Sequence, residues 1–162
     1  MSAQDGLYQE VILDHARRRS GEGLAEPALG HAVGEFHQYN PICGDEITVR
    51  AELAPATRGA EPVVQRISWE GAGCSISMAA ASVLAETVPG MTRAELVELI
   101  GAFRELLRSR GTVVPDEEVL GDAAAFAGVS RFVARVKCAM LGWVAAEEGL
   151  GRAVWSRAET TV

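Results

Sequence analysis

A change of residue pattern at Trp69 is the strongest constraint on what this chain can fold into. Ahead of it, residues 46–53 alternate: Ile47, Val49, Ala51 and Leu53 are apolar and the positions between them mostly polar, the period of a strand with one face on a core and one wet face. Two further strand-like pieces, 32–39 and 63–69, flank it. They are set off by the turn signal Asn40-Pro41 and by a segment, 55–62, that carries Pro55, Gly59 and Pro62. Beyond Trp69 small residues and helix formers take over, predicting helices near 76–86, 94–110, 116–125 and 131–148. Thr92 and Glu95 have the spacing of a capping box, Gly111 suits a helix stop, and Pro115 suits a new start at Asp116. An amphipathic helix over 7–19 opens the chain, with Leu7, Val11 and Ile12 on one stripe and Arg17, Arg18 and Arg19 in its last turn. Strands followed by helices predict an α+β fold: a small antiparallel sheet of about three strands with helices packed on one face.

At 162 residues the chain suits one domain, expected over 1–150, with 151–162 a frayed tail. A hydrophobic share of 48% excludes a disordered chain. The longest uncharged run, 71–85, falls short of the about 20 apolar residues that a membrane span needs. With 15 Lys and Arg against 22 Asp and Glu, a net charge of −7 argues against nucleic acid or an anionic membrane as partner and favours another protein. Residues 1–10 lack the basic start and apolar middle of a secretory signal, so the expected compartment is the cytoplasm.

There the three cysteines would be thiols, which raises the question of a metal or a reactive sulfur. Cys43 lies in Asn40-Pro41-Ile42-Cys43-Gly44-Asp45, between two predicted strands, where Gly44 can turn the chain so that thiol and carboxylate face one point. Cys74 follows Gly71-Ala72-Gly73 at the predicted start of a helix, where unpaired amides and the helix dipole favour thiolate. Cys138 closes Arg135-Val136-Lys137-Cys138, whose two cations also favour thiolate. Each motif alone also has a plain structural reading: a turn at Asp45, close packing at the glycines before Cys74, and a core side chain at Cys138. Together, Cys43, Asp45, Cys74 and Cys138 offer three sulfurs and one oxygen, a set that suits tetrahedral zinc. His15, His31 and His37 show no paired spacing and are poor competitors as ligands.

At these residues the chain resembles the IscU/NifU-like family of iron–sulfur assembly proteins, and more closely its SufU branch. The resemblance runs through Leu7-Tyr8 with Val11-Ile12-Leu13-Asp14-His15, the Asn40 to Asp45 motif, Gly71-Ala72-Gly73-Cys74-Ser75-Ile76-Ser77, and Arg135-Val136-Lys137-Cys138-Ala139-Met140-Leu141 with Trp143. Lys137 stands where IscU-type proteins carry a His, and the stretch 90–130 is longer than theirs; both are SufU features. The Leu-Pro-Pro-Val-Lys chaperone motif of IscU-type scaffolds is missing, with Phe132-Val133-Ala134-Arg135 in that neighbourhood.

The resemblance implies one Zn²⁺ held by Cys43, Asp45, Cys74 and Cys138, with Cys43 accepting persulfide sulfur from a PLP-dependent, SufS-type cysteine desulfurase. It implies a sulfurtransferase of the SUF system that stimulates that desulfurase and passes sulfur to downstream SUF scaffold proteins. Two other classes stay open: a scaffold assembling a [2Fe-2S] cluster on the same four residues, and a zinc-stabilised adaptor without thiol chemistry.

Overall fold

The computed structural model describes residues 2–56 and 61–155. Helix α1 (Ala3–Arg18) leads into strands β1 (Ala32–Tyr39), β2 (Glu46–Ala54) and β3 (Val63–Ala72). Helices α2 (Ser75–Thr87), α3 (Arg93–Arg108), α4 (Glu117–Leu120) and α5 (Val133–Gly151) follow, and strand β4 (Val154–Trp155) comes last. The strands form one antiparallel sheet in the order β3-β2-β1-β4. The α+β expectation therefore holds, with β4 as a two-residue addition pairing Val154 with Val33. Of the tail expected over 151–162, Gly151 closes α5 and 154–155 join the sheet, while 156–162 lie outside the described residues, as does Gly59 of the 55–62 connection.

The alternation read in β2 is the register of the core. Ile47, Val49, Ala51 and Leu53 are all buried, and Val49 and Ala51 stand opposite Trp69 and Ile67 of β3. Helix α2 covers this face with small residues, Ala79, Ala80 and Ala81, that allow close approach. α5 packs beside it: the Trp143 indole donates to the Ala80 carbonyl at 2.9 Å and its ring stacks on Phe103 of α3, centroids 4.0 Å apart. The opposite face of the sheet is drier than its pattern predicts. Glu52 is only 2% exposed because the 20–31 segment folds over it: the Ala28 amide donates to its carboxylate at 3.1 Å, His31 lies 2.5 Å from it, and Arg66 pairs with it at 3.2 Å.

The capping box at Thr92 and Glu95 forms and starts α3. A second one, Ser2 with Asp5, starts α1. The helix predicted over 116–125 does not run through. α4 stops after one turn at Gly121, whose φ of +56° departs from the helical region, and the chain continues in 3-10 turns over Gly121–Arg131. The basic end of α1 turns out to be pinned rather than free: Arg18 pairs with Asp14 and Glu86, and Arg19 pairs with Glu22 beneath Trp69. Among the described residues no helix is long and apolar enough to cross a membrane.

Candidate metal centre

Register brings the first two motifs together. Because β1, β2 and β3 are antiparallel, the 40–45 hairpin loop at the start of β2 adjoins the exit of β3, where Glu46 pairs with Ala72. The loop is closed by three hydrogen bonds: the Ile42 amide to the Asn40 side chain at 3.0 Å, the Gly44 amide to the Asn40 carbonyl at 2.8 Å, and the Asn40 amide to the Asp45 carbonyl at 2.9 Å. Gly44, at φ +79°, makes the reversal that leaves Cys43 exposed and turns Asp45 inward, 6% exposed. Two residues after β3 ends, Cys74 is the N-cap of α2. Cys138 arrives on the second turn of α5, which lies along β1 and β2 with Gly142 against Ile47 and Gly149 against Gly34.

One donor atom from each of Cys43, Asp45 and Cys138 lies within 4.8 Å of the other two. Cys74 stands beside this trio: its amide donates to Asp45 Oδ2 at 3.4 Å, and its thiol acts on both Asp45 and Cys138. Burial pushes the Asp45 carboxyl upward, but hydrogen bonds from Ser77, from the Cys74 amide and from the Cys74 and Cys138 thiols outweigh it and hold the group below its usual range. Cys138 behaves in the opposite way. Burial, with the Cys74 and Cys43 sulfurs beside it, pushes its thiol up to about 12. The thiolate expected from Arg135 and Lys137 is therefore overturned in the metal-free protein: both cations are exposed, where water screens them, while Cys138 is 2% exposed.

Donor chemistry and spacing in this cluster fit a soft divalent ion. Two partners were not recognised as functional in the sequence. Ser77 donates to Asp45 Oδ2 at 2.5 Å and lies 3.5 Å from the Cys74 sulfur; its signal was the three-residue spacing from a helix N-cap. A Cβ built on Gly73 would meet Asp45 Cγ at 2.9 Å, so only glycine lets the backbone pass this close to the carboxylate.

His15, Glu86 and Asp122 also place ligand atoms within 4.8 Å of one another. A cation already fills that gap. Arg18 lies 2.8 Å from His15 Nε2 and 2.9 Å from Glu86, while His15 joins Ser82 at 2.8 Å and Asp122 at 2.9 Å. The group pins α1 to α2 and to the 3-10 segment. His37 pairs with Thr48 across the hairpin and His31 with Glu52, so none of the three histidines reaches the cysteine cluster.

The chain matches the family model of the NifU-like N terminal domain over residues 7–139. It is 33% identical over 148 residues to the zinc-dependent sulfurtransferase SufU of Bacillus subtilis (strain 168), covering 91% of this chain and 92% of that one. To the iron–sulfur cluster assembly scaffold protein IscU of Streptococcus pyogenes serotype M1 it is 31% identical over 152 residues, 94% of this chain and 87% of that one. Among solved structures, a putative iron–sulfur cluster assembly scaffold protein for the SUF system from Fervidobacterium islandicum AW-1 matches at TM-score 0.66 and 32% identity, over 87% of this chain and 94% of that one. With a family match across most of its length, the chain belongs to the NifU-like N-terminal domain family and is a homologue of the SufU and IscU proteins.

Proposed function

We propose that this protein works in iron–sulfur cluster assembly as a zinc-dependent sulfurtransferase of the SUF system, receiving sulfur on Cys43 from a SufS-type, PLP-dependent cysteine desulfurase and stimulating it. The observation that carries this reading is the division of labour among the thiols: Cys43 is exposed, Cys74 intermediate and Cys138 buried, around one ionised carboxylate. The similarity to a zinc-dependent sulfurtransferase and the donor set support the same conclusion.

In this proposal Cys43, Asp45, Cys74 and Cys138 hold Zn²⁺. Bound there, the ion supplies positive charge that keeps the sulfurs as thiolates at neutral pH. Four anionic ligands leave the site at net −2, electron-rich enough for one thiolate to be released and react. Cys43 is the sulfur on the solvent-facing loop. Its thiolate attacks the outer sulfur of the donor persulfide; a new S–S bond forms on Cys43, the donor S–S bond breaks, and the desulfurase cysteine leaves as thiolate with no net redox change. Asp45, a hard oxygen among soft sulfurs, keeps the set labile.

Beside Cys43, the exposed Tyr39 and Ile42 line a shallow groove of about 300 Å³ with Lys137, Met140 and Val144, an apolar surface that a docked partner would cover. Downstream SUF scaffold proteins would take the sulfur on. The cytoplasm is the compartment in which three thiols would stay reduced.

The test mixes purified protein with desulfurase and cysteine and follows Cys43 by mass spectrometry, after metal analysis of the fresh preparation. One zinc per chain and a sulfur adduct confined to Cys43 are the expected results. A brown, iron-loaded protein that gains no sulfur would favour the second reading, a scaffold that assembles a [2Fe-2S] cluster on the same four residues, which the IscU relatives support.

A further inference from the structure

Ser77 is 1% exposed and touches two of the four donor groups at once. It lies on the first turn of α2, three residues after the N-cap Cys74. Its hydroxyl donates to Asp45 Oδ2 at 2.5 Å, and its oxygen is 3.5 Å from Cys74 Sγ. A hydroxyl has one hydrogen, and that hydrogen goes to the carboxylate. A single buried side chain thus couples the hairpin loop before β2 to the start of α2, in surroundings where water cannot substitute for it. Gly73 closes the other side of the carboxylate: its backbone passes so near that an added Cβ would be 2.9 Å from Asp45 Cγ and 3.1 Å from Oδ2.

We propose that Ser77 is the positioning residue of the metal centre. It pins Oδ2, so that Asp45 presents one oxygen to the ion instead of two. One oxygen with three sulfurs makes a four-coordinate zinc site; a carboxylate free to swing could chelate through both oxygens or turn away. This rests on the reading of Cys43, Asp45, Cys74 and Cys138 as ligands.

The experiment measures zinc affinity by competition with a chromophoric chelator for the parent, Ser77→Ala, Asp45→Ala and the double variant. Cobalt(II) absorption spectra of each report the ligand set. Ser77→Ala should bind zinc about 10–100-fold more weakly, as loss of a residue that orients a ligand does. Its cobalt spectrum should change shape while the melting of the metal-free protein stays cooperative. In the Asp45→Ala background the same substitution should cost less than about threefold, because the group it acts through is gone. Unchanged affinity and spectrum in Ser77→Ala, with the parent binding zinc normally, would overturn this inference alone. An equal loss in both backgrounds would do the same, marking general damage to α2. A parent that binds neither metal would overturn the ligand assignment and this inference with it.

Discussion

Replacing Gly73 with alanine isolates the packing of the metal centre from its chemistry, since it adds one methyl group and removes no donor. The new Cβ would stand 2.9 Å from Asp45 Cγ, 3.1 Å from Oδ2 and 3.2 Å from Cβ. Two responses are open to the protein. If Asp45 holds its place, the overlap is overpacking, worth about 1–3 kcal/mol. If Asp45 swings aside, it forfeits the hydrogen bond from Ser77, and a bond to a charged acceptor is worth about 1.5–3 kcal/mol. Either route predicts a loss near 2 kcal/mol, which lowers Tm by roughly 4–8 °C in a domain of this size. The two differ in zinc binding: the first preserves affinity, while the second weakens it by about 10–100-fold, as misorienting a ligand does. Thermal denaturation with and without zinc, beside a chelator competition, reads both quantities. The Gly73→Ala, Asp45→Ala double variant should recover part of the loss, because removing Cγ and both oxygens clears the closest contacts. A Gly73→Ala protein that melts with its parent and binds zinc equally would refute the claim that Asp45 is held by contact with this backbone.

Cys43→Ser should abolish sulfur acceptance yet change metal-free stability by no more than about 0.5 kcal/mol, since the residue is exposed; a large drop in Tm would contradict its place on the loop surface. Phe103→Ala, which removes a fully buried ring stacked on Trp143 and set edge-on to Phe126, should cost about 3–5 kcal/mol while leaving zinc affinity intact, as denaturant titration and metal competition would report. The metal-free protein should also lose stability at alkaline pH. Cys138 releases its proton near 9.0 when unfolded but only near 12 when folded, so this contribution is complete below pH 9 and disappears as pH rises to 12. A Cys138→Ala variant followed by urea unfolding across that window should show a shallower decline, and parallel curves would remove the thiol as the cause. Stripping zinc with a chelator should lower Tm, because the ion would tie the hairpin loop to α2 and α5; an unchanged midpoint would remove that structural role.

The legible part of this protein was local. Alternation in 46–53 predicts the buried face of β2, Thr92 with Glu95 predicts the start of α3, and Gly44 between Cys43 and Asp45 predicts the sharp turn of that loop. These follow from one residue's conformational preference or from a spacing of two or three residues along the chain, so no distant partner is needed to read them. The helix predicted over 116–125 stops early because Gly121 breaks it, and Glu52 on the outer face of the sheet is buried because the 20–31 segment covers it, a contact between residues far apart in sequence.

The motifs likewise determined which donor types are available, three thiols and a carboxylate, and their order along the chain. Whether they meet was decided by antiparallel register at one end of the sheet and by the lie of α5 across it. Their protonation depended on the same packing: two cations beside Cys138 in sequence suggested a thiolate, but burial and neighbouring sulfurs keep its proton on. Sequence proximity carries charge without distance or dielectric, and both of those exist only once the chain has closed around the site.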